Sequence, residues 1–169
     1  MAQVTLKGDP INLTGDLPAT ESKGEDFTIV KGDLTEVKLS DIKDKVKVLI
    51  AVPSLDTRVC AAETKHFSDK LAGKEHVEAM VISKDLPFAM TRYMEENKIT
   101  NITPASDFRY GEFLKKYNVE MADGPFKGLS ARAVFVLDKD NVIRYAELVP
   151  EIAHEPEYDK VLEAIDSLS

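Results

Sequence analysis

The 169-residue chain contains one cysteine, no strongly basic stretch and no apolar run long enough to span a bilayer. A single thiol cannot close an internal disulfide, and it cannot supply the clustered ligands of a structural zinc site. Lysine and arginine number 22 against 30 acids, a formal net charge of -8. No basic excess is left to displace counterions from a nucleic-acid backbone, so no nucleic-acid partner is expected. The opening MAQVTLKGDP has no apolar leader-like run, and no membrane association is expected. With so little cysteine, the expected home is a reducing cytoplasm with the thiol free at rest. No internal repeat or low-complexity tract appears. A chain of this length suits one domain, 1–169, with a core of its own.

What is present is a regular alternation of elements. VTLKGDPINLTG reads as a hairpin around a Gly-Asp-Pro turn, an N-terminal decoration over 1–16. A polar, turn-rich stretch follows, with strand-like segments at 27–30 and 35–39. KVKVLIAVP (45–53) is the strongest strand, and its unbroken apolar run predicts burial on both faces. The spacing predicts a helix over CAAETKHFSDKLAG, since Cys60, Thr64, Phe67 and Leu71 recur on one face and Gly73 supplies a stop. A second strand is expected at 77–83 and a second helix from Leu86, with Pro87 in its first turn. A short strand at 99–105, a helix at 112–117, two strands joined by a turn at 138–141 and an amphipathic C-terminal helix complete the order. Strand–helix–strand demands a parallel crossover, whereas the late hairpin adds antiparallel strands. The expected fold is therefore α/β and thioredoxin-like, a mixed sheet flanked by helices. A flavodoxin-type sheet is the runner-up, and the tight turn at 138–141 argues against it.

The lone cysteine lies in PSLDTRVCAAETKHF, in the first turn of a helix that follows a buried strand. Free amides and the positive end of the helix dipole favour an anionic sulfur there. Thr57, three residues earlier, has a hydroxyl that can turn back toward the thiolate or orient an incoming oxygen. Pro53 fixes the loop and shields the sulfur. A cysteine on an apolar helix face is most often packing. The helix start, the spaced Pro and Thr and the element order bring the reactive reading level with that one, and on the residues alone both stay open.

Pro53-Ser54-Leu55-Asp56-Thr57-Arg58-Val59-Cys60 matches the Pro-x-x-x-Thr-x-x-Cys motif of the peroxiredoxins. VPSLDT, SKDLPFA, SDFR, ADGP, ARAVFVLD and ELVPEI resemble signature stretches of the bacterial thiol peroxidases, an atypical two-cysteine peroxiredoxin subfamily. The likeness runs over nearly the whole chain. It implies that Cys60 is the peroxidatic cysteine, that Thr57 hydrogen-bonds the sulfur and the bound peroxide, and that Pro53 packs over the pocket. It also implies that Arg132 lies beside the thiolate; read alone, Arg132 would be a surface charge at a strand start. The resemblance implies hydrogen peroxide and alkyl hydroperoxides as substrates, thioredoxin or a small-molecule thiol as reductant, a homodimer, and no cofactor. One departure is plain. Relatives usually carry a resolving cysteine at the end of DLPFA…RFC, whereas this chain has Met94 there, so the usual intramolecular disulfide has no second thiol.

The three histidines do not suggest a Cys–His hydrolase: His66 lies six positions beyond Cys60, on the far side of the helix, and His76 and His154 read as surface residues. No pair has helical metal-ligand spacing, so no metal site is expected. The methionines at 80, 90, 94 and 121 read as core fillers. Three classes of function remain: a peroxidase using an external thiol, a one-cysteine redox sensor that signals peroxide to a partner, and a binding module that keeps the fold without the chemistry. Retention of Pro53, Thr57, Cys60 and Arg132 favours the first.

Overall fold

A seven-stranded sheet carries the molecule, in the computed structural model of the chain, which describes residues 2–168. Its strands are β3 (Thr28–Lys31), β4 (Glu36–Lys38), β5 (Val46–Ala51), β6 (Val77–Ser83), β7 (Thr103–Ser106), β8 (Ala133–Leu137) and β9 (Ile143–Leu148), in the order β4-β3-β7-β6-β5-β8-β9. β1 (Gln3–Leu6) and β2 (Asp9–Asn12) form the separate N-terminal hairpin. The helices are α1 (Arg58–Lys70), α2 (Pro87–Glu96), α3 (Glu112–Lys116) and α4 (Tyr158–Asp166). β5, β6 and β7 run parallel, while β8 pairs antiparallel with both β5 and β9. That antiparallel closure removes the flavodoxin alternative.

Strand parity sorts the core. Val46, Val48 and Ile50 of β5 and Val134 and Val136 of β8 pack with Cys60 and Phe67 of α1, Met90 and Met94 of α2, and Val161 and Ile165 of α4. Leu49, Ala51, Phe135 and Leu137 point the other way, toward Phe27 and the α3 residues Phe113 and Leu114. With both faces covered, every residue of β5 is buried, as a central parallel strand requires. Even Lys47 is buried, and its ammonium reaches the carbonyls of Asp138 and Lys139 at the sheet's end. All four residues of the expected α1 stripe, Cys60, Thr64, Phe67 and Leu71, are buried. The four methionines expected in the core are there too.

Two local readings need correction. The N-terminal turn is centred on Lys7 and Gly8 rather than on Gly-Asp-Pro: both have positive φ, 51° and 88°, the pair a two-residue type I′ turn demands, and Asp9 and Pro10 already lie in β2. β7 begins at Thr103, four residues later than expected, because Ile99 and Ile102 are used as core contacts in the preceding loop. The hairpin is tied down by Thr5, whose amide donates to the Pro150 carbonyl and whose carbonyl accepts from Ile152, each at 2.8 Å. Val4, Ile11 and Leu13 seal it onto Met121, Ala131 and Ile152. Among the described residues, no helix is long and apolar enough to cross a membrane.

Candidate active site

The site grows from the end of β5. The Val52 amide makes a bond to Ile82, and Pro53, lacking an N–H, ends the ladder. The loop then turns tightly, with the Thr57 amide donating to the Ser54 carbonyl at 3.1 Å. Asp85, just beyond the neighbouring strand β6, pins this loop. Its carboxylate accepts from the Ser54 hydroxyl (2.7 Å), the Leu55 amide (2.8 Å) and the Ser83 hydroxyl (2.8 Å). α1 opens at Thr57, where the Ala61 amide closes the first helical bond at 3.0 Å. No side chain caps this end, so the amides of the first turn are left for whatever lies at the helix mouth.

Cys60 is the third residue of α1 and is fully buried. Arg132, also buried, reaches it: Nη1 lies 3.3 Å from the sulfur and 2.7 Å from Glu63 Oε1. Nε and Nη2 both donate to the Ile152 carbonyl, at 3.0 and 2.7 Å, which fixes the guanidinium plane. Register explains the arrangement. Arg132 precedes Ala133, which pairs with Ala51, and it shares the parity of Val134 and Val136, so its side chain falls on the α1 face. Ile152 is held by the same Thr5 bond that docks the hairpin. Burial acts to lower the arginine's proton affinity, but Glu63 and Cys60 outweigh it, and the guanidinium is held more firmly protonated than usual.

Glu63 follows Cys60 by one helical turn. Burial pushes its carboxyl up to about 7, against the pull of Arg132, and its Oε2 is buried without a partner. Beside this cluster opens a cavity of about 410 Å³, lined by residues that include Pro53, Thr57, Val59, Arg132 and Ile152. Pro53, Thr57 and Arg132 therefore meet at one hollow, and Arg132 joins it to the buried sulfur. Thr57 is not bonded to the sulfur as expected: its hydroxyl donates to the Ser54 carbonyl at 2.8 Å. The tight turn brings that carbonyl within reach first, so Thr57 offers the cavity only its lone pairs. Met94 is buried on α2 in the same apolar cluster as Cys60.

Glu63 and Asp85 were not singled out from sequence. Glu63 had a readable signal, the spacing of three from Cys60 on one helix face; Asp85 had none beyond its place in SKDLPFA. His66 faces away from Cys60, pairing with Glu155 at 2.6 Å, while His154 is exposed. His76 is half-buried rather than on the surface, with a buried Nε2 that has no partner.

A buried thiol at an uncapped helix start after a central strand, gripped by an arginine that stands just before the adjacent antiparallel strand, defines a thioredoxin-fold protein built for cysteine redox chemistry. The comparisons narrow the class. The family model described as Redoxin matches residues 17–162. A thiol peroxidase of Leptospira interrogans is 51% identical over 169 residues, 99% of each chain. One from Aquifex aeolicus is 46% identical over 165 residues, 98% of this chain and 97% of the relative. The crystal structure of a peroxiredoxin-like protein from Aquifex aeolicus superposes with a TM-score of 0.94 at 45% identity, covering 99% of this chain and 97% of that one. The chain belongs to the Redoxin family and, within it, to the thiol peroxidases, here without a resolving cysteine.

Proposed function

We propose that this chain is a thiol-dependent peroxidase that reduces hydrogen peroxide and organic hydroperoxides at Cys60. The observation that carries the reading is the contact between Arg132 and the Cys60 sulfur at an open helix start. A thiolate attacks the terminal oxygen of the hydroperoxide: an S–O bond forms and the O–O bond breaks. The alkoxide leaves and takes up a proton to become the alcohol, or water from hydrogen peroxide. The peroxide is reduced by two electrons and the sulfur is oxidised to a sulfenic acid. An external thiol then displaces water to form a mixed disulfide, and a second thiol releases Cys60.

Each neighbour has a part. Arg132 holds the anionic sulfur. Of its five N–H groups, four are engaged by Cys60, Glu63 and Ile152, which leaves one for the leaving oxygen. Thr57, its proton committed to Ser54, accepts the hydroperoxide O–H and aims it. Pro53 screens the sulfur from bulk water. The enzyme works as a single domain over 1–169, as a homodimer in the cytoplasm, with thioredoxin or a small thiol as reductant. Relatives named thiol peroxidase favour turnover over a sensor without turnover.

Steady-state peroxide consumption with thioredoxin, glutathione and dithiothreitol in turn tests the reading. At least one reductant supports turnover, and Cys60→Ser abolishes it while circular dichroism stays native, because the two side chains are close in size. Appreciable turnover by the serine variant overturns the assignment.

A further inference from the structure

The cavity beside Cys60 has an unusual charge balance for so acidic a chain. Its lining includes three ionisable side chains, Lys7, Arg58 and Arg132, and all are cationic. Arg132 has four of its five N–H groups on Cys60, Glu63 and Ile152, and the fifth serves the reacting oxygen. The side chains of Lys7 and Arg58 are exposed and, among the described residues, make no ion pair or hydrogen bond. Two acids lie nearby and keep their negative charge, but neither pairs with Lys7 or Arg58. Glu151 accepts from Thr5 Oγ1 and from the amides of Gly8 and Ala153, which hold its carboxyl down at about 2. Glu155 is taken by His66 and Tyr158. The remaining walls, Leu6, Val59, Phe126 and Ile152 among them, are apolar. A second hollow shares Arg58, Val59 and Ala153 with the first, so Arg58 stands where the two meet.

About 410 Å³ is far more than hydrogen peroxide needs and falls in the range of small-molecule sites. Apolar walls suit a hydrocarbon body. Two unpaired cations on the rim, in a molecule of net charge -8, suit one negative group on that body. We propose that the cavity selects organic hydroperoxides that carry a carboxylate, with the hydroperoxy group toward Cys60 and the carboxylate at the rim on Lys7 and Arg58. The inference rests on the peroxidase reading and adds charge selectivity to it.

The test uses cumene hydroperoxide bearing a para-carboxylate and the methyl ester of the same compound, which differ in charge and little in shape. Rates of Cys60 oxidation are measured for both under single turnover in low salt. The acid reacts about fivefold faster than the ester, roughly what two exposed charge pairs supply, and the advantage shrinks in high salt. In the double variant Lys7→Met, Arg58→Met the ratio falls to about one. Lys7→Met alone lowers it without altering the helix that bears Cys60. Because each ratio is taken within one protein, a general loss of reactivity does not mask the result. Equal rates for acid and ester in the wild type, or an undiminished ratio in the double variant, overturn the charge selectivity while leaving peroxide reduction intact. Failure of both probes and of hydrogen peroxide to oxidise Cys60 removes the peroxidase reading, and this inference with it.

Discussion

Glu63 gives Arg132 one carboxylate oxygen and keeps the other buried without a partner. With its carboxyl near 4.5 when unfolded and about 7 when folded, folding favours the protonated form. Its contribution to stability is full below about pH 4.5 and is lost as pH rises through 7. Arg132 and Cys60 face the same cluster, and Glu155, Glu147 and Tyr158 lie within its field, so the wild-type curve is a sum over several groups. The difference between proteins isolates Glu63: denaturant midpoints measured from pH 5 to 8 fall less in Glu63→Gln than in the wild type. A parallel pair of curves rejects the assignment. Arg132→Met removes the cation from between sulfur and carboxylate. Single-turnover oxidation of Cys60 slows by about 10²-fold, the usual cost of an aimed donor at the reacting oxygen. The same variant loses more stability at pH 8 than at pH 6, because at the higher pH the ionised Glu63 is buried with no partner.

At the scale of elements, α1 and α2 are clasped. The Tyr93 hydroxyl donates to the Ala61 carbonyl, one residue past Cys60, while Met94 beside it packs into the shared core. A disulfide from Cys60 to position 94 needs α-carbons within about 7 Å, and the Tyr93 bond resists any parting of the two helices on the way to it. Met94→Cys, given one equivalent of peroxide, forms an internal disulfide seen by non-reducing peptide mapping. Adding Tyr93→Phe speeds its appearance about fivefold, since one hydrogen bond of roughly 1 kcal/mol no longer holds the helices together. No disulfide in either variant means that this helix pair does not part. The elements themselves were largely legible in the chain, because period-two and period-3.6 patterns are local. Their joints were less so. A Gly-Asp-Pro string signals a turn but not its centre, which backbone handedness at Lys7 and Gly8 decides. Cys60 and Pro53 could be marked by position along the chain. Arg132 could be placed against the sulfur only through resemblance, since its parity has meaning once β8 is known to pair with β5. The Thr57 proton goes to whichever carbonyl the turn brings nearest, and no motif states that.

For the molecule as a whole, one thiol means that an oxidised Cys60 has no partner in its own chain. After one equivalent of peroxide, mass spectrometry finds a dimedone-trappable sulfenic acid or a Cys60–Cys60 link between chains, and excess peroxide without reductant carries it on to the sulfinic acid. An intramolecular disulfide is chemically barred, so a two-dalton loss within one chain would point to some other oxidation. The burial of this single thiol also makes it a clock. A thiol reagent has one place to react, and a reagent bulkier than a peroxide reaches the fully buried Cys60 only when the structure around it opens. The ratio of its labelling rate to that of a free cysteine peptide therefore reads the opening equilibrium directly, as amide exchange does for a single protected proton. Repeated with reagents of increasing bulk, the same ratio sizes the gap that opens. That gap sets which reductants meet the sulfenic acid before a second peroxide does.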